Sequence, residues 1–212
     1  MPKKLGVVLV IIGALLILSA ASLLLYNLYE DARAGQEAES LLAGVMNNIQ
    51  DEENTPSGPL DPELPVKEID GYDYVGYLTI PDLELELPVM SEWDYERLKI
   101  SPCRHFGSSR TDDLVIAAHN YKRHFGYLYQ LEIGNTIIFT DMDGIENIYE
   151  ITKMATLAAN DVESVQNSGH DLVLYTCTYS GQARVAAFCD RKDKSTAPQL
   201  IDSALETETK AE

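Results

Sequence analysis

The sequence predicts a mostly β fold, a closed barrel or a sandwich with short helical turns, carried behind an N-terminal membrane-spanning helix. Three observations predict it. An uncharged run of 22 residues, Leu5 to Tyr26, opens the chain. Seven short apolar or alternating runs follow between Tyr74 and Cys189. Turn residues, not long helical segments, separate most of those runs. No repeat period and no low-complexity tract competes with this reading.

The elements follow in chain order. At 1.5 Å per residue, about 20 apolar residues cross the ~30 Å hydrocarbon layer, so residues 5–26 are long enough to span it. Lys3 and Lys4 precede the run and Glu30 and Asp31 follow it. The positive-inside rule then keeps residues 1–4 in the cytoplasm and sends the remainder outward, into a cell envelope. A cleaved signal would have a shorter apolar region, about 7–15 residues, with a small-residue site behind it. Ser19-Ala20-Ala21 lies inside the run, so the reading is an uncleaved signal anchor in contact with lipid over residues 5–26.

Residues 27–53 carry seven carboxylates and one base, Arg33. Ala38, Leu41, Leu42, Val45 and Ile49 recur at helical spacing, which fits a short helix packed on the domain or on a partner helix. A mostly solvated spacer is the other reading. Asn54 to Pro65 holds four prolines and a glycine, so 27–65 reads as an acidic stalk and linker. Residues 66–192 are the folded unit, with room for one core, and 193–212 form a charged tail.

Within that unit the expected strands are Tyr74–Ile80, Leu85–Val89, Leu114–His119, Thr136–Thr140, Ile148–Leu157, Leu172–Cys177 and Ala183–Cys189. Ile80-Pro81-Asp82, Gly134-Asn135 and Asp141-Met142-Asp143-Gly144 are turns. Asp94–Lys99 and Gly126–Leu131 are short helical turns.

Composition excludes some functions. Sixteen Lys and Arg against 34 Asp and Glu give a formal net charge of −18. Nucleic-acid binders cluster cations to neutralise phosphates, so nucleic acid is not a partner. Three cysteines are too few for a disulfide scaffold. The acidity suits an extracellular domain, and its sign also suits an amine-bearing acceptor.

Cys177 is the residue to explain. It ends the apolar run LVLYTC, just before the polar turn Thr178-Tyr179-Ser180-Gly181. A strand end at a barrel rim is partly exposed and rigidly held, which suits a nucleophile. A thiol reacts as thiolate and needs a cationic neighbour. His119 ends the run LVIAAH, and Arg184 opens the run after Cys177, where a hairpin would bring it back. Together they would supply nucleophile, proton shuttle and oxyanion stabiliser. A buried inert thiol and a structural histidine are the plain alternatives.

Three segments resemble the sortase family, in that family's order. TCTYSGQAR (Thr176 to Arg184), headed by LVLY, is similar to its Thr-Leu-x-Thr-Cys signature with a downstream arginine. LVIAAHNYKRHFGYLYQL (Leu114 to Leu131) resembles the histidine segment, nearest to class B through Phe125 and Leu128. GYLTIPDLELELPV (Gly76 to Val89) looks like the opening strands. The resemblance spans nearly all of residues 72–190. It implies a closed eight-stranded β-barrel and a cysteine transpeptidase of Gram-positive envelopes. Such an enzyme cleaves a C-terminal sorting motif of the Leu-Pro-x-Thr-Gly kind through a thioester. It then passes the acyl group to an amine of a peptidoglycan precursor or a pilin lysine. Carried over by residue, Cys177 is the nucleophile, His119 the general acid and then base, and Arg184 the holder of the oxyanion or substrate backbone. Thr176, Tyr179 and Asn120 are the expected substrate-binding residues.

The chain departs from the family pattern in places. Val173 stands at the signature's first Thr. About 14 residues, Ala158 to Asp171, replace the long helical insertion of class B. Asp61-Pro62 is followed by Glu63 where pilin sortases carry an aromatic lid residue, so an open site is expected. No acidic cluster suggests a calcium site, and neither metal nor cofactor is expected.

Cys103 and Cys189 are either a disulfide pair or two buried thiols. His105, His124 and His170 read as surface or structural, with His124 able to flank the cleft. Tyr121, Tyr127, Tyr129 and Tyr179 would line a groove for Leu-Pro, or else pack the barrel. Two further functions stay open: a non-catalytic binding barrel, and a cysteine peptidase that releases free acid.

Overall fold

A computed structural model of the chain describes residues 3–51 and 59–193. One helix, α1 (Lys3–Asp51), runs 49 residues without a break. Its apolar window has a mean hydropathy of 2.9 and buries nothing, so the helix is long and apolar enough to cross a bilayer. The second half behaves differently. Ala34, Ala38, Leu41 and Val45 recur at steps of four, three and four and are buried. That stripe lies against the first three strands of the domain. The acidic stalk is therefore, over these residues, a helix packed on the domain and part of its core. The solvated-spacer reading fails because the stripe has somewhere to bury. The start of the Pro-rich linker and the charged tail from residue 194 lie outside the described residues.

The strands are β1 (Lys67–Ile69), β2 (Tyr72–Ile80), β3 (Leu85–Met90), β4 (Cys103–Phe106), β5 (Leu114–Ala117), β6 (Thr136–Asp141), β7 (Glu146–Ala158), β8 (Leu172–Cys177) and β9 (Ala183–Arg191). They pair in the order β1-β2-β3-β4-β5-β8-β9-β7-β6, and β6 returns to β2. Eight strands thus close a mixed barrel, with β1 flanking β2. The pairs β3–β4 and β5–β8 are parallel and the rest antiparallel. Closure occurs at Gly76, where β2 bulges and takes β6 as its second partner. Its φ is +150°, and a Cβ there would collide with the Thr140 carbonyl. Only glycine allows that approach.

All seven foreseen strands are present. The two unforeseen ones are short. β1 has three residues, and β4 reads CRHF with no apolar alternation to reveal it. The helical turns appear as α2 (Tyr95–Leu98) and a 3-10 turn over Leu128–Gln130. A further one-turn helix, α3 (Glu163–Gln166), is all the helix between β7 and β8.

Alternation sorts the two faces of β8. Leu172 and Leu174 join Leu114, Ile116, Ile137, Phe139 and Tyr149 in the barrel interior. Val173 and Tyr175 face outward into a second cluster with Val115, Ala186, Phe188 and Val165 of α3. Phe125 and Leu128, fully buried, plug the interior at one end. Cys103 and Cys189 are both free thiols and sit in different buried clusters, so the disulfide alternative is excluded. They act as small apolar groups, and burial pushes the Cys103 thiol up to about 12.

Candidate active site

The outward face of β5, β8 and β9 builds the site. Cys177 ends β8 and its Cα pairs with Arg184 near the start of β9. The turn between them is closed by Thr178 N donating to Ala183 O at 2.9 Å and Gly181 N to Thr178 O at 2.8 Å. On the other side, β5 runs parallel to β8 with Ala117 opposite Tyr175. The strand stops at Ala117, two residues earlier than the apolar run predicts. Ala118 still bonds to Tyr175 O at 3.2 Å, and the same register carries His119 beside Cys177. The parallel pairing explains why residues 58 positions apart arrive together.

His119, Cys177 and Arg184 line one cavity of about 250 Å³. All three are half-buried. The Cys177 thiol and the His119 ring nitrogens make no hydrogen bond among the described residues, so both remain available to a substrate. Burial holds His119 below its ordinary pKa, and the Lys99 ammonium adds to that effect. A neutral imidazole at pH 7 is the form that accepts a thiol proton. Arg184 donates through Nη1 to Gly181 O at 3.2 Å and Ala183 O at 3.1 Å. Its Nε and Nη2 have no acceptor among the described residues, and a five-donor guanidinium keeps capacity for an oxyanion or a substrate carbonyl.

The cavity walls come from three places. α2 supplies Tyr95 and Leu98, and its start is capped by the Asp94 carboxylate, which accepts from Glu96 N at 2.8 Å and Arg97 N at 2.9 Å. Trp93 and His105 complete that side, with the Tyr175 hydroxyl 2.7 Å from His105 Nδ1. The β7–β8 segment supplies Ala159, Asp161, Val162 and Val165. It is held by Asp161, which accepts from Ser164 N at 3.2 Å and Ser164 Oγ at 2.7 Å. The sequence did not mark Trp93, His105 and Tyr175 as wall residues. The one available signal was strand parity: Tyr175 is two residues before Cys177 and shares its face.

The expected substrate-binding residues fare unevenly. Thr176 lies on the interior face and is buried, and its Oγ1 donates to Ala118 O at 2.8 Å. It ties β8 to the base of the His119 loop, which leaves no hydroxyl proton for a substrate. Asn120 Nδ2 reaches Thr178 O at 3.4 Å and joins the two loops instead of lining the cavity. Tyr179 stands fully exposed in the turn. Tyr121, Tyr127 and Tyr129 do not line the cavity either. His124 does not flank the cleft: it is wholly buried beneath its loop. The described residues of the linker, 59–65, are held by Arg110, whose Nη1 donates to Asp61 O at 3.1 Å, and by Arg104, which pairs with Glu63; Glu63 lines an adjoining hollow on the far side of Trp93 and His105. None of them lines the cavity. The described residues hold no group of three or more His, Cys, Asp or Glu placed to bind a metal.

A strand-end cysteine beside a loop histidine and a hairpin arginine, on a closed mixed barrel, defines a class of thiol enzymes. The model of the Sortase domain matches residues 78–192, more than half of the chain, and the protein belongs to the sortase family of cysteine transpeptidases. No curated protein sequence matches it. Solved structures do. Sortase D5 of Clostridium perfringens, described as a transpeptidase, superposes with a TM-score of 0.57 at 15% identity, over 74% of this chain and 99% of that one. Sortase C1 of Streptococcus agalactiae gives 0.52 at 23%, over 60% and 72%. A sortase C of Clostridium perfringens, solved with the C-terminal cell wall sorting motif, gives 0.52 at 17%, over 73% and 90%. At these identities the likeness is one of fold. These relatives carry the names of classes C and D, whereas the motifs lay nearest class B. The single turn of α3 is consistent with the short insertion that already set the chain apart from class B.

Proposed function

We propose that the protein is a membrane-anchored transpeptidase in which Cys177, His119 and Arg184 carry out the reaction. The observation that supports it is the convergence of these three side chains on one cavity, Cys177 and Arg184 from the paired strands β8 and β9 and His119 from the loop that follows β5. His119, neutral at pH 7, takes the Cys177 proton. The thiolate attacks the carbonyl carbon of the threonine in a Leu-Pro-x-Thr-Gly-like sorting motif. Arg184 meets the oxyanion or the flanking substrate carbonyl. The imidazolium then gives its proton to the leaving amine, and the C–N bond breaks to leave a thioester. An amine of a peptidoglycan precursor or a pilin lysine enters, loses its proton to His119 and releases the enzyme. The sorting-motif complex of the related sortase C supports the substrate class. The apolar first half of α1 supports a single-pass anchor, with Lys3 and Lys4 inside and the barrel outside.

Intact mass tests this reading. The full chain, held in lipid nanodiscs, is incubated with sorting-motif peptides, with and without an amine acceptor. The expected result is a peptide-sized adduct on Cys177 that the amine discharges and that Cys177→Ala lacks. Release of free acid in the presence of amine would make the protein a peptidase. A Cys177 that neither peptides nor iodoacetamide modify would leave a non-catalytic barrel.

A further inference from the structure

The helix that carries the apolar run also fixes which end of the barrel faces it. The loop that follows His119 is docked on α1 close to where that run ends. Lys122 N donates to Asp31 Oδ1 at 2.6 Å. Gly35 lies under the Arg123 side chain, where a Cβ would collide with it. The buried His124 ring sits beside the Ala34 carbonyl. Asp31 is five residues past Tyr26, or about 7 Å along the axis. The opposite end of the barrel, the β6–β7 turn, meets α1 at Ile49, which lies against Gly144. That contact is about 27 Å further from the run than Asp31. The catalytic loop is therefore the bilayer end of the domain.

We propose that the loop over residues 120–130 is a membrane-contact surface whose partner is the phosphate-bearing headgroup layer of the bilayer that α1 enters. The proposal rests on reading Leu5–Tyr26 as a membrane span. Charge supports the assignment. In a chain of net charge −18, Lys122 and Arg123 are exposed cations with no ion-pair partner among the described residues. Glu39, Glu84 and Glu86 share a groove with them but pair with neither. Three other carboxylates on α1 are already engaged: Glu30 and Glu37 by Arg33, and Asp31 by the Lys122 amide. Two unpaired cations are thus left to meet lipid phosphate. Side-chain chemistry supports it as well. Tyr26, Tyr29 and Tyr129 are each at least 60% exposed, and tyrosine is the residue of the membrane–water interface. The consequence for the reaction is that His119, at the root of this loop, and the Cys177 cavity that it lines belong to the bilayer end of the domain.

Energy transfer to the bilayer surface tests the orientation. The full chain carrying Cys177→Ala, so that no acyl chemistry intervenes, receives a fluorophore at Tyr129→Cys or at Glu146→Cys. The two remaining cysteines are buried. Each is placed in nanodiscs bearing a headgroup-labelled acceptor, with and without phosphatidylglycerol. Transfer from position 129 should exceed that from position 146 severalfold. The double change Lys122→Glu and Arg123→Glu should lower transfer from 129, more so with the anionic lipid. Equal or greater transfer from 146 overturns the orientation. Unchanged transfer from 129 in the double variant overturns the headgroup contact. Failure to enter nanodiscs overturns the membrane span and the proposal with it. Loss of the acyl adduct in the wild-type chain, with transfer as expected, would instead overturn only the catalytic reading.

Discussion

The β8–β9 ladder carries one thiol near each end and treats them oppositely. At one end Cys177 faces Arg184; about 17 Å along the ladder Cys189 faces Leu172. Cys189 is fully buried in the interior cluster, its thiol pushed well above the ordinary range by burial. Around that end the buried arginines are paired. Arg191 bonds to Asp112 Oδ1, Asn147 Oδ1 and Ser109 O at 2.6–3.0 Å, and its backbone N to Asp171 Oδ2. Arg110 joins Asp141 and Asp143 nearby. At the Cys177 end the pattern reverses. Cys177, the His119 ring and two nitrogens of Arg184 have no protein partner among the described residues. Paired charges stiffen one end; unpaired donors and acceptors equip the other to bind something.

Substitutions at the two ends should break or sharpen that contrast. The largest effect belongs to Cys177→Ala, which should abolish the acyl adduct and transfer while leaving the urea midpoint unchanged. Cys189→Ala should retain the adduct. Next, His119→Asn should lower the rate of adduct formation about 10²–10⁴-fold, read by stopped mass spectrometry, again with the fold intact.

The opposite end answers in stability, not rate. Arg191→Met strands the buried side of Asp112 and Asn147 and should cost about 3–5 kcal/mol in urea unfolding. Its turnover per folded molecule should match wild type. Comparable loss of turnover would show that the two ends are coupled.

A pH titration sharpens the catalytic end. Burial lowers His124 to about 4, against an ordinary value near 6.5, with His119 close by. The folded state therefore resists the proton that the unfolded chain accepts. Between pH 4 and 6.5 unfolding binds protons, so stability rises with pH through that window. The contribution is complete above about 6.5 and lost as pH falls through 4, about 3 kcal/mol in all. His119, also lowered by burial, acts in the same direction. Urea midpoints across this range should show the slope, and His124→Phe should flatten it. An unchanged slope would mean that His124 is solvated.

The smallest effect should come from Thr176→Val. It deprives the Ala118 carbonyl of its hydroxyl partner at the foot of the His119 loop, for about 1–2 kcal/mol. Retained stability with full activity would show that the loop does not need this tie.

Much of the architecture was legible because it rests on local signals. Alternation within Leu172–Cys177 and Ala183–Arg191 marks both strands and places Tyr175, Cys177 and Arg184 on one face. The hairpin turn fixes the Cys177–Arg184 pairing. β4 was invisible because Cys-Arg-His-Phe has no period, and it forms only where β5 and β3 offer edges. Thr176 illustrates the limit of motif reasoning. Its neighbour in sequence is Cys177, the proposed nucleophile, but strand parity turns its own side chain inward to Ala118.

The apolar run of residues 5–26, the seven main strands, their turns and the candidate trio His119, Cys177 and Arg184 all follow from the order of residues. They depend on chain stiffness, hydropathy and side-chain chemistry, which act over a few residues at a time. The tertiary structure decided what depends on distant partners. It made the acidic stalk a packed helix, because β1–β3 supply the apolar surface for Ala34, Ala38, Leu41 and Val45. It kept Cys103 and Cys189 apart by assigning them to separate clusters. It set His119 beside Cys177 through a parallel strand pair that no local signal encodes. The loop after His119 and α1 come together for the same reason: Asp31 and Lys122 are 91 residues apart in sequence, and only the closed barrel makes them neighbours.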